Sequence, residues 1–227
     1  MKPFVTLDIE TLGTPGVSNY IAMPSFAFVV LEDIDKHPTI IRGLLNQEKQ
    51  IAKGALTTGS TIKFWMEMAL AGSATCKQIM DNKCEFMMYN SKSDNYLIQD
   101  RHSCDHDVFR KVRKVFSSLN LDRDIMFYGN GPEFDMSIYS AHLAMEDLYE
   151  PPYKYWLLGN VRALREEYMN NDKDFKALEQ ESHSYAFNTI KELNMISVGV
   201  IPAKHDPVFD ALAEAYQIWA IKEFLKK

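Results

Sequence analysis

The sequence predicts an α/β fold built on a mixed sheet. Three observations carry this. Apolar runs of strand length crowd the N-terminal segment, and helical and strand patterns alternate through the rest of the chain. A compact apolar run, Ile125–Tyr128, breaks at Gly129-Asn130-Gly131-Pro132 into a new helical pattern. With 227 residues, 46% hydrophobic and 25% charged, the chain is large enough to bury a sizeable core.

The elements follow in order. Residues 3–8 read as a first strand, Ser25–Leu31 as a second and Thr39–Ile41 as a short third. From Thr61 to Ala71, Ile62, Trp65, Met66 and Ala69 recur at helical spacing. Residues 89–106, rich in Ser, Asp, Asn and Lys, read as an exposed loop. A helix from about Asp107 to Leu119 puts Val108, Val112, Val115 and Phe116 on one stripe. After the Ile125–Tyr128 strand, Pro132 suits the first position of a helix. The stretch Tyr153–Leu158 reads as another strand, with helices over 160–170 and 173–193. The last helix starts at Asp206-Pro207 and runs to the C-terminus, with Val208, Leu212, Ala215, Ile218 and Trp219 on its apolar face. Neither an internal repeat nor a Pro/Gly/Ser linker interrupts the pattern, so residues 1–227 are expected to form one domain.

The bulk properties narrow the function classes. No apolar run reaches the length of a membrane span, and the N-terminus lacks a secretory pattern, so a cytoplasmic protein without membrane contact is expected. Cys76, Cys84 and Cys104 are an odd number in no metal-ligand spacing and read as reduced thiols. His102, Cys104 and His106 alternate, but lack a fourth ligand and a supporting motif, so a plain exposed segment is favoured over a zinc site. A net charge of −6 argues against broad non-specific affinity for nucleic acid. It leaves room for an enzyme that grips phosphate through bound metal. The densest basic patch, Arg110-Lys111-Val112-Arg113-Lys114, reads as a solvated helix face.

The chemistry is concentrated in three acidic segments. Asp8-Ile9-Glu10 ends the first strand, and at period two Asp8 and Glu10 project from one face while Ile9 points to the other. Two carboxylates that close raise each other's pKa, and a hard divalent cation is the usual remedy. Asp135 lies in the first turn of the helix that begins at Pro132, where Phe134 and Ile138 can anchor the helix in the core. In His205-Asp206-Pro207-Val208-Phe209-Asp210, Asp206 is a plausible N-cap, with Pro207 at the first helical position. Asp210 then sits one turn in, and His205 in the loop just before.

Together, Asp8-x-Glu10, Phe134-Asp135 and His205-x4-Asp210 resemble the DEDDh 3′–5′ exonuclease superfamily from end to end and in order. Asp8-Ile9-Glu10-Thr11-Leu12-Gly13, Ser60-Thr61-Ile62-Lys63-Phe64-Trp65, and Tyr155-Trp156 followed by Asn160-Val161-Arg162 are most similar to the bacteriophage exonuclease A (DexA) group. Asn160 stands where the family pattern has Asp, at a position that is not a metal ligand.

The resemblance implies an RNase H-like (DnaQ-like) domain with a mixed five-stranded sheet flanked by helices. It implies a hydrolase that removes nucleoside 5′-monophosphates from single-stranded 3′ ends with two divalent cations, Mg²⁺ or Mn²⁺. DNA is the favoured substrate, with an exoribonuclease or a catalytically idle nucleic-acid-binding or polymerase-partner module as alternatives. The compartment would be the host cytoplasm if the chain is phage-encoded. Asp8 would touch both ions, Glu10 and Asp210 would complete one site, and Asp135 would hold the other ion. His205 would be the general base, entering from its loop when substrate binds; an ordinary pKa near 6.5 suits that task. Thr11 and Leu12 are candidates for the 3′ nucleotide, with Leu12 as an apolar wedge against the base; ordinary core is an equal reading of Leu12. Phe64 and Trp65 are candidates for a stacking surface, one of them reading as core because both cannot face inward on a helix. Tyr153, Tyr155 and Trp156 read as packing.

Overall fold

Strand β1 (Phe4–Glu10) sets the plan of the molecule, because alternation sorts its side chains into two different cores. Val5, Leu7 and Ile9 enter one core, and Phe4 enters the other. Thr6, on the second face, donates its hydroxyl to the Ala211 carbonyl at 2.9 Å. Asp8 and Glu10 continue that second face. The computed structural model describes residues 2–90, 96–119, 121, 124–171 and 173–226.

The strands and helices then follow in chain order. Strands β2 (Ser25–Leu31) and β3 (Thr39–Leu44) lead to short helices and a longer one: α1 (Gln47–Ala52), α2 (Gly59–Leu70) and α3 (Thr75–Met80). Strands β4 (Cys84–Asn90) and β5 (Tyr96–His102) precede α4 (Asp105–Ser118). Strand β6 (Met126–Gly129), α5 (Pro132–Met145), β7 (Leu158–Asn160), α6 (Val161–Asn170), α7 (Phe175–Glu192) and α8 (Pro207–Leu225) complete the chain.

The sheet has the order β5-β4-β3-β2-β1-β6-β7. The pairs from β5 through β1 are antiparallel, while β6 and β7 run parallel to β1. On one face, Val108, Phe109 and Val112 of α4 and Ile138 and Tyr139 of α5 pack against Val5, Leu7, Phe26, Phe28 and Phe127. On the other, Val208, Ala211, Leu212 and Ala215 of α8 and Ala186 and Ile190 of α7 pack against Phe4, Ala27, Val29 and Ile40. The α/β class with a mixed sheet is therefore as the sequence reads.

Among the described residues the sheet has seven strands where the resemblance implies five, and the extra pair overturns one expectation. Much of the stretch read as an exposed loop, 89–106, is strand. Strand β4 is buried through Phe86, Met87, Met88 and Tyr89, and β5 pairs with it as the sheet edge. Gln99, Asp100 and Arg101 make β5 polar, because an edge strand with charged side chains resists further pairing and so reads as loop. Residues 91–95 of that expected loop lie outside the described residues. Tyr153–Leu158 also differs: Tyr155–Leu157 form a 3₁₀ turn, and the strand starts only at Leu158.

The three cysteines are free thiols. His102 ends β5 while Cys104 and His106 flank the start of α4, and the three do not form a metal cluster among the described residues. The basic run sits on α4 with Val112 buried, Lys111 on Asp100 at 2.6 Å and Arg113 near Glu150 at 3.5 Å, as a solvated helix face does. No helix among the described residues is long and apolar enough to cross a membrane.

One buried titratable group makes this fold pH-sensitive. His142 of α5 is fully enclosed, donates Nε2–H to the Ile21 carbonyl at 2.7 Å and packs on Tyr20. Burial lowers its pKa from 6.5 to about 4. Between those values the unfolded chain binds the proton and the folded chain does not, so stability present above pH 6.5 is lost as pH falls toward 4. The loss attributable to this group is about 3 kcal/mol. We expect His142→Gln to remove most of that slope in urea unfolding followed across this window. Parallel pH profiles for the variant and the wild type would contradict a neutral buried imidazole.

Candidate metal and active site

Three separate chain segments bring carboxylates to the C-terminal end of β1. Asp8 and Glu10 arrive on one strand face, as alternation requires, with Asp8 half-buried and Glu10 buried. Asp135 comes from the first turn of α5, which starts where β6 ends beside β1. Gly129 makes its approach feasible, since a Cβ there would stand 2.8 Å from Asp135 Oδ2. The Gly131 N–H then donates to that same oxygen at 3.3 Å.

Helix α8 supplies the third segment. Asp206 is its N-cap, accepting from Val208 N–H at 3.0 Å, with Pro207 in the first turn. Asp210 accepts from His205 N–H at 2.7 Å, which ties the loop to the helix. His205 has φ +69°, a left-handed conformation that non-glycine residues seldom adopt, and its half-buried ring meets Phe64 at 5.2 Å and Trp65 at 5.9 Å. From below, buried Arg42 of β3 donates to Glu85 at 3.0 Å and to the Val198 carbonyl at 2.9 Å, fastening the loop that leads to His205. The second Asp206 oxygen accepts from Ile201 N–H at 2.8 Å in the same loop.

Glu10, His205 and Asp210 each offer a ligand atom, and these atoms lie within 4.8 Å of one another, a spacing that could hold a metal ion. Asp8 and Asp135 line the same cavity of about 370 Å³. Asp8 Oδ2 is buried without a hydrogen-bond partner among the described residues. An orphaned carboxylate oxygen beside three other acids suits a hard cation, which would satisfy it and offset the crowding.

The electrostatics agree. Burial first, then Asp210 and Glu10, hold the Asp8 carboxyl far above the usual range. Burial and then Asp210 do the same to Glu10. Burial raises Asp135 to about 7 against the opposing Gly131 N–H, and Asp210 to about 7 against the His205 N–H. His205 moves the other way, lowered by burial and by Lys204, which keeps its imidazole neutral near pH 7.

The substrate candidates are placed differently from the metal candidates, for none of the four lines the cavity. Leu12 and Trp65 are buried together in a satellite core with Tyr20 and Ala22. Thr11 is buried, its hydroxyl donating to the Gly13 carbonyl at 2.8 Å while its own carbonyl accepts the Trp65 indole N–H at 2.8 Å. Phe64 is the exposed member of its pair, at 38%. Tyr153 packs as expected, but Tyr155 and Trp156 do not; they stand 81% and 61% exposed because the 3₁₀ turn carries them off the sheet.

Sequence reasoning missed one wall of the cavity. Glu214, Arg165, Asn130 and Gln217 line it, and burial raises Glu214 to about 8 against the opposing charge of Arg165. A signal existed: Asp210 and Glu214 are four apart on α8 and so share a face. Asn160 has a clear local role, since its side chain caps α6 by accepting from Arg162 N–H and Ala163 N–H. No protein-family model matches the chain, and no curated protein matches it significantly.

The raised carboxyl values make the metal-free fold weaken with rising pH. The folded chain keeps protons that the unfolded chain releases near 4, so stability present below that value is lost as pH rises through about 7 to 8. We expect Asp8→Asn to raise the melting temperature of the chelator-treated protein at pH 8 by about 4–8 °C, the effect of roughly 2 kcal/mol in a chain this size. The gain should shrink at pH 5. Added Mg²⁺ should stabilise the wild type much more than the variant. Equal melting of the two in chelator at pH 8 would contradict the electrostatic account.

Proposed function

We propose that this protein is a divalent-metal-dependent 3′–5′ exonuclease of RNase H-like (DnaQ-like) fold. It hydrolyses the terminal phosphodiester of single-stranded DNA and releases nucleoside 5′-monophosphates. The observation that carries this reading is the convergence of Asp8, Glu10, Asp135, His205 and Asp210 on one cavity from three distant segments. Their order along the chain resembles that of the DEDDh superfamily. The run β3-β2-β1-β6-β7, five neighbours within the seven-stranded mixed sheet, also supports it, with Asp8 and Glu10 at the end of its middle strand. DNA as the substrate rests on the likeness to the bacteriophage exonuclease A group.

In this reading Asp8, Glu10, Asp135 and Asp210 hold two Mg²⁺ ions, with Mn²⁺ as a substitute. When bound, the pair supplies Lewis-acid stabilisation of charge on the phosphoryl, attacking and leaving oxygens. His205, neutral near pH 7, takes a proton from the water whose oxygen forms the new bond to phosphorus. The bond from phosphorus to the 3′-oxygen of the shortened strand breaks, and that oxygen is reprotonated from solvent. The left-handed turn at His205, held by Asp210 and Asp206, keeps the imidazole over the cavity. Phe64, exposed beside the His205 ring, is the remaining candidate for base stacking.

The test is digestion of 5′-labelled single-stranded DNA and RNA of one sequence, in Mg²⁺ or EDTA. We expect a ladder that shortens from the 3′ end of DNA, abolished by EDTA and by Asp8→Ala. His205→Ala should lower kcat by about 10²–10⁴-fold with metal affinity retained. Faster digestion of RNA would move the substrate to RNA. Binding without cleavage would support the idle module, and no cleavage of either polymer in Mg²⁺ or Mn²⁺ would overturn the proposal.

A further inference from the structure

The cavity that holds the acids is also lined by three cationic side chains, Arg162, Arg165 and Lys204. Arg165 is the best held of the three. Nε donates to Gln217 Oε1 at 2.7 Å, Nη1 to Asn130 Oδ1 at 2.7 Å, and Nη2 pairs with Glu214 Oε1 at 3.5 Å. The Phe175 ring lies 5.6 Å from its central carbon. These partners come from α8, the β6–α5 turn and the start of α7, so the guanidinium plane is fixed from several directions.

A guanidinium carries five N–H donors. Among the described residues the three contacts use one on each nitrogen, which leaves one on Nη1 and one on Nη2. Two donors on neighbouring terminal nitrogens match two oxygens of a phosphate. Glu214 gives a second, independent indication. Its side chain is 6% exposed, and its Oε2 is buried with no hydrogen-bond partner among the described residues. A buried acid paired with one arginine is a weak source of stability. As a clamp that orients the arginine toward a cavity, it has a use.

We propose that Arg165 is a further catalytic residue, contacting the non-bridging oxygens of the reacting phosphate. Glu214, Asn130 and Gln217 are positioning residues that hold its plane. The inference rests on the exonuclease reading and deepens it, by naming the group that receives the charge building on the phosphoryl oxygens as the water attacks. Preorganised donors of this kind act mainly on the transition state.

The probe is the p-nitrophenyl ester of thymidine 5′-monophosphate, which carries the reacting phosphate alone. Cleavage of its phosphorus–aryl oxygen bond releases p-nitrophenolate. With Mg²⁺ saturating, Arg165→Ala should lower kcat about 100-fold with a smaller change in KM. Arg165→Lys should recover only part of the loss, because a point charge lacks the fork. Guanidinium chloride, kept below denaturing concentration, should partly rescue Arg165→Ala and leave the wild type unchanged. A kcat within about threefold of wild type would overturn the proposal. So would a loss that guanidinium does not rescue and that tracks weakened Mg²⁺ binding, since Arg165 would then only brace Glu214.

If the wild type does not turn over, titration calorimetry with thymidine 5′-monophosphate in Mg²⁺ decides. Binding weakened at least about tenfold by Arg165→Ala, together with no cleavage of DNA or RNA, would keep the phosphate site and sink the exonuclease reading. Equal binding by both proteins, or none by either, would overturn the phosphate role as well.

Discussion

The constraint on which this structure depends is the mutual repulsion of buried carboxylates at the end of β1. Asp8, Glu10, Asp135, Asp210 and Glu214 share one cavity, and burial raises all five. A fold that needed only stability would not assemble them, because each buried charge is disfavoured and like charges add to the penalty. Much of the surrounding architecture acts to make the arrangement tolerable. Gly129 gives Asp135 room, the Gly131 and His205 N–H groups each bond one carboxylate, and Arg165 faces Glu214.

The same constraint explains why the rigid parts lie where they do. Asp8 and Glu10 sit on an interior strand of the sheet, whose opposite face is filled by Val5, Leu7 and Ile9. Asp210 is one turn into a helix anchored by Val208, Ala211 and Leu212. The less regular member, His205, is held from beneath. Arg42 fixes Val198, and Asp206 joins Ile201 to the start of α8. The strained backbone at His205 is thus over-determined by its neighbours, a pattern typical of functional positions.

What was legible in the sequence follows from what is local. The period-two alternation of Asp8, Ile9 and Glu10, the Asp206-Pro207 cap and the glycine-proline entry to α5 are short-range signals, and each is formed as read. Strand β5 was not legible, because the polar side chains that protect its edge are those of a loop. Helical spacing marked Trp65 as apolar-facing, but the burial of Leu12 was decided by tertiary contact with Tyr20 and Ala22, which no spacing reveals. Arg165 and Glu214 lie 49 residues apart and meet only because α6 and α8 pack together. Helical spacing marked Glu214 as a neighbour of Asp210, but not that its face turns toward β1.

The central claim is that these acids form one centre for two divalent cations. The most direct measurement is anomalous diffraction from a crystal soaked in Mn²⁺ and a nucleoside 5′-monophosphate. The account predicts two peaks about 3.5–4 Å apart. One should touch Asp8, Glu10 and Asp210, and the other Asp8 and Asp135, with the nucleotide phosphate between them and the Arg165 side. A map with no peak at the end of β1, or with a single ion that does not touch Asp8, would contradict it.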